Sequence, residues 1–308
     1  MKFLFKKTLA RLVFSKFIFE FFQKLNIHVL PKHFYSPVPD TEALKRKKDL
    51  WDKKTELVGI NLNIEEQLNL FRNVFPKFKS ECVFPLEKTS MPYEYYSNND
   101  SFGFVAASIL HCMIRFFSPK VIIEVGGGLS TFVTARAVRM NNSQRRDAKL
   151  ITIEPFPNEI LKKGFPGLSE LIIKRVEDLD VEFFSQLNEG DILFIDTSHV
   201  SKIGGDVNFL YLEVLPRLKK GVIVHVHDIF LPKNYPREWV VNERYFWNEQ
   251  YLLQAFLTFN EHFEVLLCGG YIVLEHFELL QSIFPPPRGF SEFYGQYTTS
   301  SFWMRRIN

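Results

Sequence analysis

From about Tyr96 onward, short β-branched or apolar runs alternate with stretches of helical character. The runs are Val121–Val125, Leu150–Ile153, Leu171–Val176, Ile192–Ile195 and Val222–Val226. The helical stretches are Ser130–Met140, Asn158–Lys163, Val181–Leu187 and Asp206–Leu218. Alternation of this kind, with strands apolar along nearly their whole length, predicts a parallel sheet covered on both faces. Two later runs, Phe263–Leu267 and Ser300–Met304, add strands at a different spacing. The expectation is therefore an α/β, doubly wound domain of about seven strands over residues 96–308. Before it, Pro31, Pro37, Pro39, Pro76, Pro85 and Pro92 punctuate a chain with isolated helical patterns such as Ile64–Phe75. Residues 1–95 read as a mainly helical N-terminal extension wrapped on that domain.

The first 25 residues, MKFLFKKTLARLVFSKFIFEFFQKL, have a pattern of their own. Lys2, Lys6, Lys16, Glu20 and Lys24 fall on one narrow face of a helical wheel, and Phe, Leu and Ile cover most of the rest. No apolar run reaches the roughly 20 residues of a membrane span. The lysines interrupt it too often for a signal-peptide core, and no small-residue cleavage site follows. Residues 1–54 hold thirteen Lys/Arg against five Asp/Glu, a net of +8, which leaves −5 on the rest of a chain of net charge +3. The pattern fits a helix resting on an anionic membrane surface. A wide apolar arc is commoner as a packing face, so the pattern also fits a helix docked on its own domain or on a partner subunit, as in a homo-oligomer.

Composition narrows the class without naming a chemistry. With 46 % apolar and 24 % charged residues, the 308-residue chain is neither disordered nor fibrous. Its 33 phenylalanines feed packing rather than catalysis. The three cysteines, Cys82, Cys112 and Cys268, are odd in number, widely spaced and without a CxxC pair. A disulfide framework or cysteine zinc site is not expected, and a reducing, cytoplasmic setting is the default. The small net charge makes no case for nucleic acid as a partner.

In a doubly wound sheet the ligand lies at the carboxyl ends of the strands, near the point where strand order reverses. The first strand runs into Glu124, then Gly126, Gly127 and Gly128, and Ser130–Thr131 open the next helix. Glycines there let backbone approach a ligand and turn tightly into a helix N-terminus. Thr131 occupies the third glycine position of a G-x-G-x-x-G fingerprint, which weakens a dinucleotide reading. The second strand ends in Glu154, a carboxylate able to accept both hydroxyls of a ribose and to repel a 2′-phosphate. The third ends at Val176-Glu177-Asp178, polar groups placed to meet an adenine. The fourth ends in Asp196, with His199 three residues on, and the fifth in His227-Asp228.

This ordered set, with Leu218-Lys-Lys-Gly221, resembles the class I S-adenosylmethionine-dependent methyltransferases, whose fold is Rossmann-like. HFYSPVPD, YYSNNDSFGF, and YPREW followed by WNEQYLLQAF look like a bacterial branch of that superfamily. The resemblance implies S-adenosylmethionine as cofactor. Gly126 and Gly128 would line its methionine end, with Gly127 and Ser130 in the same loop and Glu124 orienting that loop. Glu154 would hold the ribose diol, Asp178 or Glu177 would meet the adenine, and Asp196 would lie beneath the sulfonium. Asn99, Asp100 and Phe102 would form a lid. Methyl transfer to a hydroxyl of a small molecule or glycan would be an in-line displacement in which alignment supplies much of the rate. His199 is the expected general base, with Asp196, Asp228 and His227 beside it. A further expectation is Mg²⁺ on Asp196 and Asp228, although the nearby imidazoles favour softer metals.

Other readings stay open at this stage. An NAD-dependent oxidoreductase, or a non-catalytic scaffold binding nucleotide or the inner face of a membrane, would also use such a sheet. His225, His111 and Cys112 read as packing residues, and Arg305–Arg306 as a solvated end. Trp239, Trp247 and Tyr251 suit either a sugar-stacking platform or the core.

Overall fold

The computed structural model describes residues 15–30, 32–144, 147–291 and 298–308. Their contacts form two units. One holds the described residues up to Trp51 together with Pro236–Phe246, the other Asp52–Tyr235 and Trp247–Asn308. In the first unit, helix α1 (Lys16–Lys24) begins at Ser15, whose Oγ accepts from the Ile18 amide at 3.4 Å. The first fourteen residues of the predicted amphipathic helix lie outside the described residues. Helix α2 (Thr41–Arg46) is capped by Asp40, whose Oδ1 accepts from the amides of Glu42 and Ala43, and it packs on the short helix Arg237–Val241. Among the described residues no helix is long and apolar enough to cross a membrane.

The second unit is built on a seven-stranded sheet: β1 (Val121–Val125), β2 (Lys149–Ile153), β3 (Glu170–Ile172), β4 (Ile192–Ile195), β5 (Ile223–Val226), β6 (Phe263–Cys268) and β7 (Phe302–Arg306). Their order is β3-β2-β1-β4-β5-β7-β6. The first five strands are parallel, and β7 enters antiparallel to both β5 and β6. Strand order reverses between β1 and β4. Register aligns Val125 with Ile153 on one side and with Ile195 on the other, and Ile195 with Val226. The next residues along each strand, Gly126, Glu154, Asp196 and His227, therefore stand in a row along one edge of the sheet.

Alternation along each strand assigns the two faces. Ile122, Leu150, Ile192 and Phe194 point to helices α4 (Phe104–Phe117) and α5 (Leu129–Ser143) after α3 (Ile64–Asn69). Ile123, Val125, Leu193, Ile195 and Val224 point the other way, to the segment led by α6 (Asp206–Phe209) and to α7 (Glu249–Leu257). Helix α4 is buried on every side from Phe104 to Arg115, its apolar residues lying all round the axis and its polar Ser108, His111 and Arg115 hydrogen-bonded.

Two predicted helices differ in the same way. Ile64–Phe75 begins as α3, widens into a π-helical turn at Leu70–Val74 and tightens at Phe75–Lys77. Asp206–Leu218 begins as α6, widens at Leu210–Val214 and tightens at Leu215–Arg217. Each tight turn contains a proline, Pro76 or Pro216. A proline ring clashes with the carbonyl four residues back, here in the widened turn, and widening that turn relieves the clash.

The predicted boundary at residue 95 does not match the packing. Leu68, Phe71, Phe75, Cys82 and Phe84 share one apolar cluster with α4. Glu81 also accepts from Arg115 Nε at 2.8 Å and lies 2.8 Å from His111 Nε2. Burial outweighs that carboxylate and holds the His111 imidazole down at about 4, so it is neutral at pH 7. Arg305 and Arg306 are not a solvated end. Both lie in β7, Arg305 paired with Glu264 and Arg306 over the Phe263 ring at 5.2 Å.

Candidate active site

A cavity of about 310 Å³ opens at the carboxyl ends of β1, β2 and β4. Gly126, Glu154, Arg175, Glu177, Asp196 and Lys202 contribute to its wall. A wider groove of about 680 Å³ runs along Lys54–Glu66 with Pro232, Tyr271 and Glu275, and no strand-end residue lines it.

The glycine turn is shaped by contacts that allow no side chain at its first position. Gly126 has φ +93°, and a Cβ there would overlap the carbonyl oxygen of Asp196. Gly126 thus lets the β1 loop touch the end of β4. A Cβ on Gly127 would press on Thr152, whereas Gly128 has open space around it. Behind the turn, Glu124 is wholly buried and accepts from Ser130 Oγ at 2.7 Å and Thr152 Oγ1 at 2.9 Å. Burial pushes its carboxyl up to about 7 against the pull of those hydroxyls. Glu124, Gly127, Gly128 and Ser130 support the cavity wall from behind.

Glu154 stands at the end of β2 with its carboxylate already oriented. Its two oxygens accept from the amides of Gly127 at 3.1 Å and Phe156 at 2.7 Å. Each oxygen retains a lone pair for a further donor. Strand β3 stops at Ile172, four residues before the predicted end at Val176, and Val176–Asp178 forms a single tight turn. That turn brings Glu177 to the cavity wall and leaves Asp178 out of it.

At the ends of β4 and β5 the structure gathers a second group. His199 Nε2 lies 3.2 Å from Asp196 Oδ1 and 3.7 Å from Asp228 Oδ2. Its Nδ1 lies 2.8 Å from Oε2 of Glu249, the first residue of α7. Ligand atoms of Asp196, His199 and Asp228 all fall within 4.8 Å of one another, an arrangement able to hold a metal ion. His199 and Asp228 both adopt left-handed backbone, φ 56° and 54°, uncommon for residues with side chains and concentrated where structure serves a site. The His199 carbonyl accepts from the Asn248 and Glu249 amides, which fixes the start of α7 to this loop. Trp247 covers the His199 ring at 4.4 Å between centroids.

Burial alone would lower the His199 pKa, but Asp196 and Glu249 together raise it well above the usual imidazole value. The ring is an imidazolium at neutral pH, and an imidazolium has no lone pair with which to take a proton. The expected role of His199 as general base does not fit that state. Burial likewise pushes Asp196 up, yet the nearby His227 and His199 outweigh it and keep the carboxylate ionised.

His227 is buried, 3.7 Å from Asp228 Oδ1 and packed on the Phe102 ring at 4.8 Å. It stands behind Asp228 instead of in the cavity wall. Asn99 is tucked inward, its Oδ1 accepting from Ser101 and Phe102 and its Nδ2 donating to Tyr96 and Phe102, so this stretch is a braced turn. Of the aromatic trio, only Trp247 reaches the His199 group. Tyr251 is half exposed, with its hydroxyl donating to Asn234, and Trp239 packs on Tyr245.

Sequence reasoning missed Glu249 as a site residue, although it lies inside the WNEQ stretch. A lone acid opening an otherwise uncharged helical run was the available signal. It missed Arg175 and Lys202 as well, because neither ends a strand.

A family model described as a methyltransferase domain matches residues 123–229. An uncharacterised protein of Archaeoglobus fulgidus is 31 % identical over 169 residues, 53 % of this chain and 75 % of that protein. Among solved structures, the O-methyltransferase TomG of Streptomyces achromogenes, in complex with SAM, is 12 % identical, with 87 % of this chain and 96 % of that one covered at a TM-score of 0.40. An O-methyltransferase of Bacillus cereus in complex with SAH is also 12 % identical, over 87 % and 97 % at a TM-score of 0.39. At such scores these two likenesses add nothing to the geometry above.

Proposed function

We propose that the chain, whose residues 123–229 match a methyltransferase-domain family, is a class I S-adenosylmethionine-dependent methyltransferase that methylates an oxygen of a small-molecule or glycan acceptor beside a divalent metal held by Asp196, His199 and Asp228. The observation that carries this reading is the charge around His199. Three carboxylates, Asp196, Asp228 and Glu249, surround one imidazole. An uncompensated excess of buried negative charge is costly, and a cation relieves it.

Two carboxylates and an imidazole suit Mn²⁺ or another borderline metal better than Mg²⁺. Held there, a divalent ion would lower the pKa of an acceptor hydroxyl. His199 would ligate through Nε2 only after the entering ion displaced the proton on that atom to solvent, while Glu249, 2.8 Å from Nδ1, would keep the Nδ1 proton and fix the ring. Asp196 and Asp228 keep 27 % and 16 % side-chain exposure, which leaves a carboxylate route to water for a proton shed by the acceptor.

The cavity at β1, β2 and β4 suits the nucleotide end of S-adenosylmethionine, which supplies an electrophilic methyl. Glu154 would accept the ribose hydroxyls, Glu177 would face the adenine, and Gly126, packed on the Asp196 carbonyl, would hold the β1 loop beside the methionine end. Asp196 belongs to both groups, since it lines this cavity and faces His199. That shared position would bring a transferred methyl close to the metal group, and such alignment is worth several kcal/mol of barrier.

Calorimetric titration with S-adenosylmethionine, S-adenosylhomocysteine and NAD, each with and without Mn²⁺, tests the reading. Micromolar binding of the sulfur nucleotides that falls in Glu154→Ala is expected. Binding of NAD alone would overturn the proposal.

A further inference from the structure

Helix α1 presents an apolar face that nothing in its own unit covers. None of its residues is buried. Phe17, Phe21 and Leu25 are exposed by 75 %, 51 % and 55 %. Spaced four apart, they form one stripe, with Lys16, Glu20 and Lys24 on the adjoining face. Farther along the same unit Phe34 and Tyr35 are exposed by 86 % and 79 %, their rings 3.9 Å apart. Solvent-facing phenylalanines at this density mark a surface that meets something apolar.

Charge selects the occupant. The stripe lies within residues 1–54, which carry a net charge of +8. A second copy of the chain would bring the same +8 against it, and like charges across an interface oppose pairing. An anionic bilayer supplies both what the phenylalanines and what the lysines require.

We propose that α1, with the basic segment around it, docks the protein on an anionic lipid surface, Phe17, Phe21 and Leu25 entering the headgroup region while the lysines meet lipid phosphates. This is independent of the reaction assigned to the sheet. Each basic residue near such a surface adds to the attraction, which salt screens within about 10 Å at 0.1 M.

Co-sedimentation of the full-length protein with vesicles of phosphatidylglycerol and phosphatidylcholine tests it against vesicles of phosphatidylcholine alone. The expected result is partition onto the anionic vesicles at least about tenfold above the neutral ones, weakened by 0.5 M NaCl. The double variant F17S/F21S should lose at least about tenfold while still binding S-adenosylhomocysteine, which shows that the fold survives. Equal partition onto both vesicle types, or unchanged partition of F17S/F21S, would overturn the proposal. So would a concentration-dependent dimer abolished in F17S/F21S, because the face would then be a self-association surface.

Discussion

His199 Nδ1 and Glu249 Oε2 meet at 2.8 Å, both side chains almost wholly buried, across fifty residues of sequence. A carboxylate on one ring nitrogen fixes the tautomer and turns the other nitrogen toward Asp196 and Asp228. Glu249→Gln keeps the shape and removes the charge. Its Mn²⁺ affinity should fall roughly 10- to 100-fold, with methyl transfer falling alongside it. S-adenosylhomocysteine affinity should stay within about twofold, because Glu249 does not line the nucleotide cavity. Calorimetry with each ligand separately checks this, and an unchanged Mn²⁺ affinity would remove Glu249 from the site.

Asp196 and Asp228 should separate by function. Asp228→Asn should abolish metal-stimulated turnover, leaving nucleotide binding intact. Asp196→Asn should weaken both, since that carboxylate lies in the cavity wall and beside His199. Turnover measured after chelation and metal restoration, next to nucleotide titration, distinguishes the two variants. Equal nucleotide affinity in both would contradict the shared position of Asp196.

The glycine turn makes an opposite pair of predictions. Gly126→Ala places a Cβ on the Asp196 carbonyl in a left-handed backbone, so the loop must move. Nucleotide affinity should drop by at least about tenfold, with a stability loss of roughly 2 kcal/mol or more. Gly128→Ala meets open space and extended backbone, φ −168°, so it should bind nucleotide as the parent does. Thermal melts and titrations of the two variants side by side decide the matter.

Glu124 gives a pH signature. Its carboxyl is raised from 4.5 to about 7 by burial. A raised folded value means the native state holds the proton more tightly than the unfolded chain. That stabilisation is complete below about pH 4.5 and is lost as pH rises through about 7. Between pH 5 and 8 the loss is of order 2–3 kcal/mol. In Glu124→Gln this share of the pH dependence should vanish. Urea unfolding at pH 5.5 and pH 8 measures it, and parallel slopes in parent and variant would refute the assignment.

Much of the architecture was legible because each strand of a buried parallel sheet carries its own apolar run. Val121–Val125 and Ile192–Ile195 were found to the residue for that reason. The third strand was overextended, since Arg175 and Lys174 interrupt a run whose β-branched flanks look continuous. The two proline-bearing helices were found as helices but not as widened ones, because a clash four residues back is a three-dimensional matter.

The sequence by itself determined which residues end the strands, and so named Gly126, Glu154, Asp196, His199 and Asp228 before any geometry was known. Local pattern suffices there, because burial on both faces leaves the strand ends as the places where polar groups reach solvent. Only the tertiary structure decided what His199 is. Its proton is set by Asp196, three residues away, and by Glu249 at the start of a helix fifty residues on, so its charge exists only when the chain has folded. Spacing along the chain encodes elements, whereas a buried charge responds to distance in space, and distance is what folding supplies.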